Sequence, residues 1–332
     1  MTSHFRRRSL IGAAAALCAV TALAGCGSSN DSAGGSGGGG TTVTMAVSPY
    51  VGLAPLYLGV KQGFFKKEGI DLKLTSIPSS PAVLQAVIGN RQDIGFAVTP
   101  SVITAVAKGA QAKCIAPLSG NVSTVPADFS TGIVVKKDSP IRSPKDLAGK
   151  KVAVAAIAGQ QAIQTQAIVD KYGGDWKSVK LVPLAFGNMN TALKNGNVDA
   201  IATTSPFLQQ ALGQGARVLN WMEQELSPNA SMVCSVANDR FIQAHPDLVT
   251  KYQKAIAESL DYAKAHIPDA RAQLPKIAGI TAADAAKAPL GVVYDSKLNI
   301  DSIKSTQDMM VKYGYIPAPL SLSKFLDYPG AA

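Results

Sequence analysis

AVIGNRQDIGFAVTP at residues 86–100 and ALKNGNVDAIATTSP at residues 192–206 are two copies of one pattern, separated by a fixed offset of 106. Ala86, Asp93, Pro100, Ala105, Gly109 and Ala110 align with Ala192, Asp199, Pro206, Ala211, Gly215 and Ala216, and Thr99 aligns with Ser205. Each copy reads as a helix, a turn holding Asn and Gly, an Asp that opens a β-rich run, and a second helix announced by a hydroxyl residue followed by proline. A hydroxyl at the N-cap satisfies an orphan amide, and proline at the first helical position gives up no hydrogen bond. A period this long is no solenoid, so the chain is expected to form two similar lobes.

Outward from the repeat, short β-rich runs alternate with helical ones, the signature of α/β layers. Strands are expected at 43–47, 94–98, 114–118, 132–136, 152–156, 179–184, 200–203 and 231–236. Ser80-Pro81, Thr99-Pro100, Ser143-Pro144 and Ser205-Pro206 mark helix starts. Beyond residue 236 the chain turns mainly helical. Leu248, Tyr252, Ile256, Leu260 and Ala263 form one packing stripe, and Ile303, Met309, Met310 and Tyr313 mark another.

The first forty residues read differently. Arg6-Arg7-Arg8, the uncharged run from Leu10 to Leu23 and the small residues Ala24-Gly25 before Cys26 predict a signal peptide over 1–25, too short to span a bilayer. Leu23-Ala24-Gly25-Cys26 resembles the bacterial lipobox, which implies lipidation of Cys26. Residues 26–40, rich in Gly and Ser, then form a lipidated tether. Formal G-x-S-x-G and G-x-G-x-x-G matches inside the tether lack the strand and helix their chemistry requires.

Composition narrows function. The 332 residues carry 32 Lys and Arg against 22 Asp and Glu, a formal charge of +10, yet the basic residues are scattered without aromatic interleaving, so no nucleic-acid partner is expected. Four cysteines and three histidines in no metal-ligand spacing leave no expected metal or cofactor. His245 and His266 stand beside prolines on late helices, and no catalytic constellation assembles, so an enzyme is not expected. Whether Cys114 and Cys234 pair stays open, since both lie in apolar runs where free cysteines are common.

Ligands of open α/β sheets bind beyond the carboxyl ends of strands, where helix N-termini present free amides. Four such turns hold the candidate site: Ser48, Tyr50 and Val51; Thr99 and Ser101; Gly159, Gln160 and Gln161; Thr204, Ser205 and Phe207. Asn121 and Asn188 join them as pocket amides. These turns contain neither Asp nor Glu, so a cationic ligand is expected to lack a counter-charge; they contain no Lys or Arg either. A small anion would be held by amides and hydroxyls, with Tyr50 and Phe207 along an apolar or aromatic portion.

Three phrases carry a family resemblance. Leu53-Ala54-Pro55-Leu56 with Gly63-Phe64-Phe65-Lys66-Lys67-Glu68-Gly69-Ile70-Asp71-Leu72, the run Ile141-Arg142-Ser143-Pro144-Lys145-Asp146-Leu147-Ala148-Gly149-Lys150-Lys151-Val152, and Thr191 to Ala200 resemble the solute-binding proteins of bacterial importers for nitrate, taurine and aliphatic sulfonates, and their thiamine-pyrimidine-precursor relatives. The resemblance implies a type II periplasmic-binding-protein fold, with lobe I at 41–130 and 235–332, lobe II at 131–234, and crossing strands near 131–135 and 231–236. It implies a monomeric, lipid-anchored component of an ABC importer on the extracytoplasmic face of the cytoplasmic membrane. Its partners would be a small organic anion, a sulfonate or carboxylate, and the permease with its ATPase. A neutral heterocycle such as a thiamine pyrimidine precursor or flavin is the alternative ligand; a pyrimidine-synthesising enzyme and a lipid-anchored scaffold are further ones.

Overall fold

The computed structural model describes residues 40–77 and 79–329. The expected signal peptide and Cys26 lie outside the described residues, as does nearly all of the tether. Among the described residues twelve strands are formed: β1 (Thr41–Val47), β2 (Ile70–Ser76), β3 (Ile94–Val98), β4 (Ala112–Pro117), β5 (Asn121–Val122), β6 (Thr131–Val135), β7 (Lys151–Val154), β8 (Lys180–Pro183), β9 (Ala200–Thr204), β10 (Arg217–Asn220), β11 (Val233–Asn238) and β12 (Val292–Val293).

They build two five-stranded sheets, ordered β2-β1-β3-β11-β4 and β8-β7-β9-β6-β10, with β5 and β12 as a separate pair. In the first sheet β1 runs parallel to β2 and β3, and β11 lies antiparallel between β3 and β4. In the second, β7 runs parallel to β8 and β9, and β6 lies antiparallel between β9 and β10. The two sheets therefore share one topology, and the sequence repeat is a repeat of fold. Each antiparallel strand, β6 or β11, receives the chain as it crosses from the other sheet. Two α/β lobes joined by two crossing segments are the type II periplasmic-binding-protein architecture. The strand expectations leave out β2, β5, β10 and β12: β2 alternates apolar and polar residues as IDLKLTS, while β5, β10 and β12 are only two to four residues long.

The repeat works through local chemistry. Asp93 accepts hydrogen bonds from Thr44 N (2.8 Å) and Thr44 Oγ1 (2.7 Å), and Asp199 accepts one from Lys151 N (2.8 Å). Each carboxylate thus ties the start of its own strand to the neighbouring β1 or β7. Just upstream, Asn90 (φ 55°) and Gly196 (φ 75°), equivalent under the 106 offset, both occupy the left-handed region that stops the preceding helix. Asn and Gly are the residues that enter it at least cost.

The second proline does not repeat the first. Thr99 stands first in a helix, Thr99–Ala107, with Pro100 in its first turn, but Val98 occupies the N-cap and no side chain caps the helix, so Thr99 is not the cap that the pattern predicts. Ser205-Pro206 is a cis peptide, and the following helix, Phe207–Gly213, begins only after Pro206. Ser205 is therefore not the N-cap that its pattern predicts; its N and Oγ donate to Ser130 O (2.8 and 3.3 Å), binding β9's end to the crossing segment.

Cys114 and Cys234 are joined by a disulfide between β4 and β11, with Cα atoms 5.6 Å apart. Antiparallel neighbours in one sheet bring two cysteines 120 residues apart within reach. The long helix Pro246–Ala265 lays its apolar stripe on the first lobe, where Tyr252 is buried against Phe65 with ring centroids 5.7 Å apart.

Candidate functional site

Between the sheets lies a cavity of about 70 Å³, set in a cleft of about 760 Å³ when the solvent space at its mouth is included. The first lobe contributes Ser48, Pro49 and Tyr50 after β1, Ser79, Ser80 and Pro81 at the start of the helix Ser80–Ile88, Phe96 and Val98 from β3, Ser101, and Val233. The second contributes Thr131, Ala155 and Ala156 after β7, Gly159, Gln160 and Gln161 at the start of the helix Gln160–Lys171, Ala185 and Phe186 after β8, Thr204 at the end of β9, and Glu223. The walls thus come from the carboxyl ends of β1, β3, β7, β8 and β9, where parallel strands hand over to helices.

Seven of the residues singled out in the sequence line this cavity: Ser48, Tyr50, Ser101, Gly159, Gln160, Gln161 and Thr204. Six lie elsewhere. Val51 is wholly buried in the first lobe's core. Thr99 is buried with Oγ1 3.5 Å from Ser231 O, and Asn121 Oδ1 accepts from Ser231 Oγ at 2.6 Å, so both brace the second crossing. Ser205 braces the first. Asn188 faces solvent. Phe207 stands behind the wall, stacked on Phe186 with centroids 5.8 Å apart and planes 14° from parallel.

Aromatic surface faces the cavity from both lobes. Tyr50 lies against Phe96, centroids 5.7 Å apart, and Phe186 is held by Phe207 on the other side. Burial pushes the Tyr50 phenol far up, and the negative charge of Glu223 adds to it, so Tyr50 stays a neutral hydroxyl.

Glu223 corrects the expectation that the cleft holds no counter-charge for a cation. It sits in the short helix Met222–Leu226, is 6% exposed, and lines the cavity. Gln160 Nε2 donates to Glu223 Oε1 at 2.6 Å. Removal from water raises the carboxyl to about 7, while hydrogen bonds from Thr131 and Gln160 pull in the opposite direction without cancelling the effect. No Lys or Arg is among the residues lining the cavity.

The sequence reading missed Glu223 because Met222-Glu223-Gln224-Glu225-Leu226 has the look of a solvated acidic turn; 63 residues separate it from Gln160. Ser79, Ser80 and Pro81 were legible as a helix start and nothing more. Phe96 and Thr131 sit inside strands whose apolar or β-branched character suffices to explain them.

Residues 51–270 match the NMT1/THI5-like family. A Bacillus subtilis (strain 168) protein named for binding aliphatic sulfonates is 27% identical over 255 residues, covering 75% of this chain and 72% of that protein. The 4-amino-5-hydroxymethyl-2-methylpyrimidine phosphate synthase of Aspergillus parasiticus is 27% identical over 222 residues, covering 63% of this chain and 62% of the enzyme. Among solved structures, the alkanesulfonate-binding protein SsuA from Xanthomonas axonopodis pv. citri, bound to MOPS, superposes with a TM-score of 0.72 at 18% identity, covering 86% of this chain and 98% of that one. The periplasmic-binding-protein fold is common to such structures and this one, and the chain belongs to the NMT1/THI5-like family.

Proposed function

We propose that the protein is the solute-binding component of an ABC importer, which captures a small organic solute between its lobes and delivers it to the permease. The observation that carries this reading is a single cavity walled by both lobes at the carboxyl ends of their strands. A solute there contacts two bodies at once, so it gains affinity when they close on it. Residues 41–130 with 235–332 and residues 131–234 would be the moving bodies, anchored outside the cytoplasmic membrane through lipidated Cys26.

Two ligand classes have support. The relative named for aliphatic sulfonates favours an organic anion, and the helix Gln160–Lys171, which has no side-chain cap, offers backbone amides to one. Glu223 at the same cavity and the facing aromatic rings favour a flat nitrogen heterocycle. The synthase relatives raise turnover as a further reading; binding without turnover is the simpler one, because among the described residues that line the cavity Glu223 and Tyr50 are the titratable side chains.

Thermal shift of the full chain in detergent, against taurine, alkyl and aryl sulfonates, nitrate, aromatic carboxylates, amidines and amino-heteroarenes, tests the reading. A ligand at 100 times its dissociation constant adds about 2.7 kcal/mol of stability. A stabilising ligand recovered chemically unchanged supports a binding protein; a panel without any stabilising member overturns it.

A further inference from the structure

We propose that the pole of the second lobe that faces away from the cleft is a docking surface for a linear, phosphate-bearing polymer outside the cytoplasmic membrane. The inference goes beyond solute binding and uses no residue of the cavity.

The internal repeat supplies the comparison. Asp93 grips the amide of Thr44 and Asp199 that of Lys151, so Lys151 stands where the first lobe has Thr44. Lys73 lies opposite Thr44 and Lys180 opposite Lys151, which matches Lys180 to Lys73 and Lys150 to Val43. Ala237 faces Ile94 as Val135 faces Ala200, which matches Lys136 and Lys137 to Asn238 and Asp239. The offset of 106 matches Lys194 to Ile88. Six lysines of the second lobe thus correspond to one lysine, one aspartate and four uncharged residues of the first. That one lysine, Lys73, is paired with Asp71 at 2.8 Å, whereas none of the six forms an ion pair among the described residues. Five of the six are exposed, and Lys136 is half-buried. Lys151 and Lys180 are direct neighbours on parallel strands, and Lys136, Lys137 and Lys194 line one hollow. Like charges set opposite one another cost stability. The carboxylates of the same turns are Asp138, in that hollow, and Asp199, which accepts from the Lys151 amide. Folding therefore gathers cations that are scattered in the sequence, and an anionic partner relieves a repulsion that the fold itself leaves standing.

Placement and chemistry identify the partner. Both sheets turn the carboxyl ends of their parallel strands to the cleft, so their amino ends form opposite poles. Thr41, where the described chain enters β1, bonds Gly69 O at the first lobe's pole. Under the proposed anchoring through Cys26 the bilayer adjoins that pole, and the six lysines point away from it. They are also point charges. Arg217, the arginine of the same pole, donates to the carbonyls of Ser139 and Ile141. Lysine is depleted in protein–protein interfaces and lacks the planar fork of arginine, but it attracts phosphate groups without demanding one geometry. None of the residues lining the hollow is aromatic, so nucleic-acid bases find no stacking platform there.

The experiment uses the full chain in non-ionic detergent, with labelled long-chain inorganic polyphosphate and orthophosphate as probes, and co-sedimentation with phosphatidylcholine vesicles with or without phosphatidylglycerol. One variant combines Lys136→Gln, Lys137→Gln, Lys150→Gln, Lys151→Gln, Lys180→Gln and Lys194→Gln. A second makes the same change of charge on the first lobe, replacing the exposed Lys61, Lys66, Arg91, Lys108, Arg240 and Lys251 by Gln. The parent is expected to bind polyphosphate with an affinity that falls with salt at a log–log slope of about −4, for six lysines on a flexible strand. The second-lobe variant should bind about tenfold more weakly or worse and lose most of that slope. It should melt no lower than the parent, because the repulsion between Lys151 and Lys180 is gone. The first-lobe variant should bind as the parent does. Polyphosphate that does not bind, or that both variants weaken equally, overturns the proposal. Orthophosphate that competes as well as the polymer, phosphate for phosphate, overturns it in favour of a small-anion site. Preference of the six lysines for phosphatidylglycerol vesicles over polyphosphate overturns it in favour of the bilayer. Solute binding is read separately and should be unchanged in both variants, so either reading can fail alone.

Discussion

Glu223, buried where it lines the cavity, costs the folded protein stability, and the cost depends on pH. Folding raises its pKa from 4.5 to about 7, so between those values the folded state keeps a proton that the unfolded state has released. Stability therefore falls as pH rises through that window, by at most about 3 kcal/mol. Glu223→Gln removes the titration. Without ligand, it should melt higher than the parent at pH 8, by up to several degrees, and alike at pH 4; urea titrations at both values check this. Equal stability at pH 8 would mean that the carboxylate is better solvated than its burial indicates. Residues of this kind are the least legible in a sequence. Ser48, Tyr50 and Gln160 could be found because strand-to-helix turns have local signals, whereas Glu223 acquires its role only when a distant helix start is brought to it.

At the scale of elements, the repeat was readable because it is written in turn chemistry. Asp93 and Asp199 read as strand openers, and the structure adds what each one grips: the amide of Thr44 or of Lys151 on the adjacent strand. Asp199→Ala should leave Lys151 N without its side-chain acceptor and lower stability by roughly 1 kcal/mol, while Asp199→Asn retains part of the bond; a melting series of the three proteins separates charge from hydrogen bonding. The Cys114–Cys234 bridge was not readable in this way. Its existence depends on β11 inserting beside β4, a long-range pairing that no local pattern encodes. Closing a loop of 120 residues restricts the unfolded chain by up to about 5 kcal/mol on the chain-entropy view. Cys114→Ser, or reduction, is accordingly expected to lower the melting temperature by many degrees. Intact mass after alkylation without reductant should show neither cysteine modified.

For the whole molecule, the lobes also meet away from the cleft. The helix Ile300–Lys312 and the residues after it reach from the first lobe to the helix Gln160–Lys171 of the second. Tyr313 OH donates to Asp170 Oδ2 at 2.8 Å, Lys312 Nζ pairs with the same carboxylate at 2.8 Å, and Tyr315 OH donates to Gln166 Oε1 at 2.5 Å. Trp176 stands edge-on to Tyr313 with centroids 5.0 Å apart. The sequence shows the Ile303-Met310-Tyr313 stripe as a packing face, but a stripe does not name the surface it packs on. This one joins both lobes, and so biases their relative orientation. Asp170 is half-buried but its ion-pair partner Lys312 is exposed, which screens the pair, so Asp170→Ala should cost about 1 kcal/mol of global stability. Its effect belongs to the equilibrium between lobe arrangements. Loss of two bonds at once should lower the fraction of molecules in the arrangement seen here, and apparent affinity weakens in proportion to that fraction. No cavity residue is touched by the change. A several-fold weaker dissociation constant, together with a larger radius of gyration of the ligand-free protein in small-angle scattering, would identify this contact as part of the hinge. Unchanged affinity and unchanged radius would show that the two crossing segments alone set the opening.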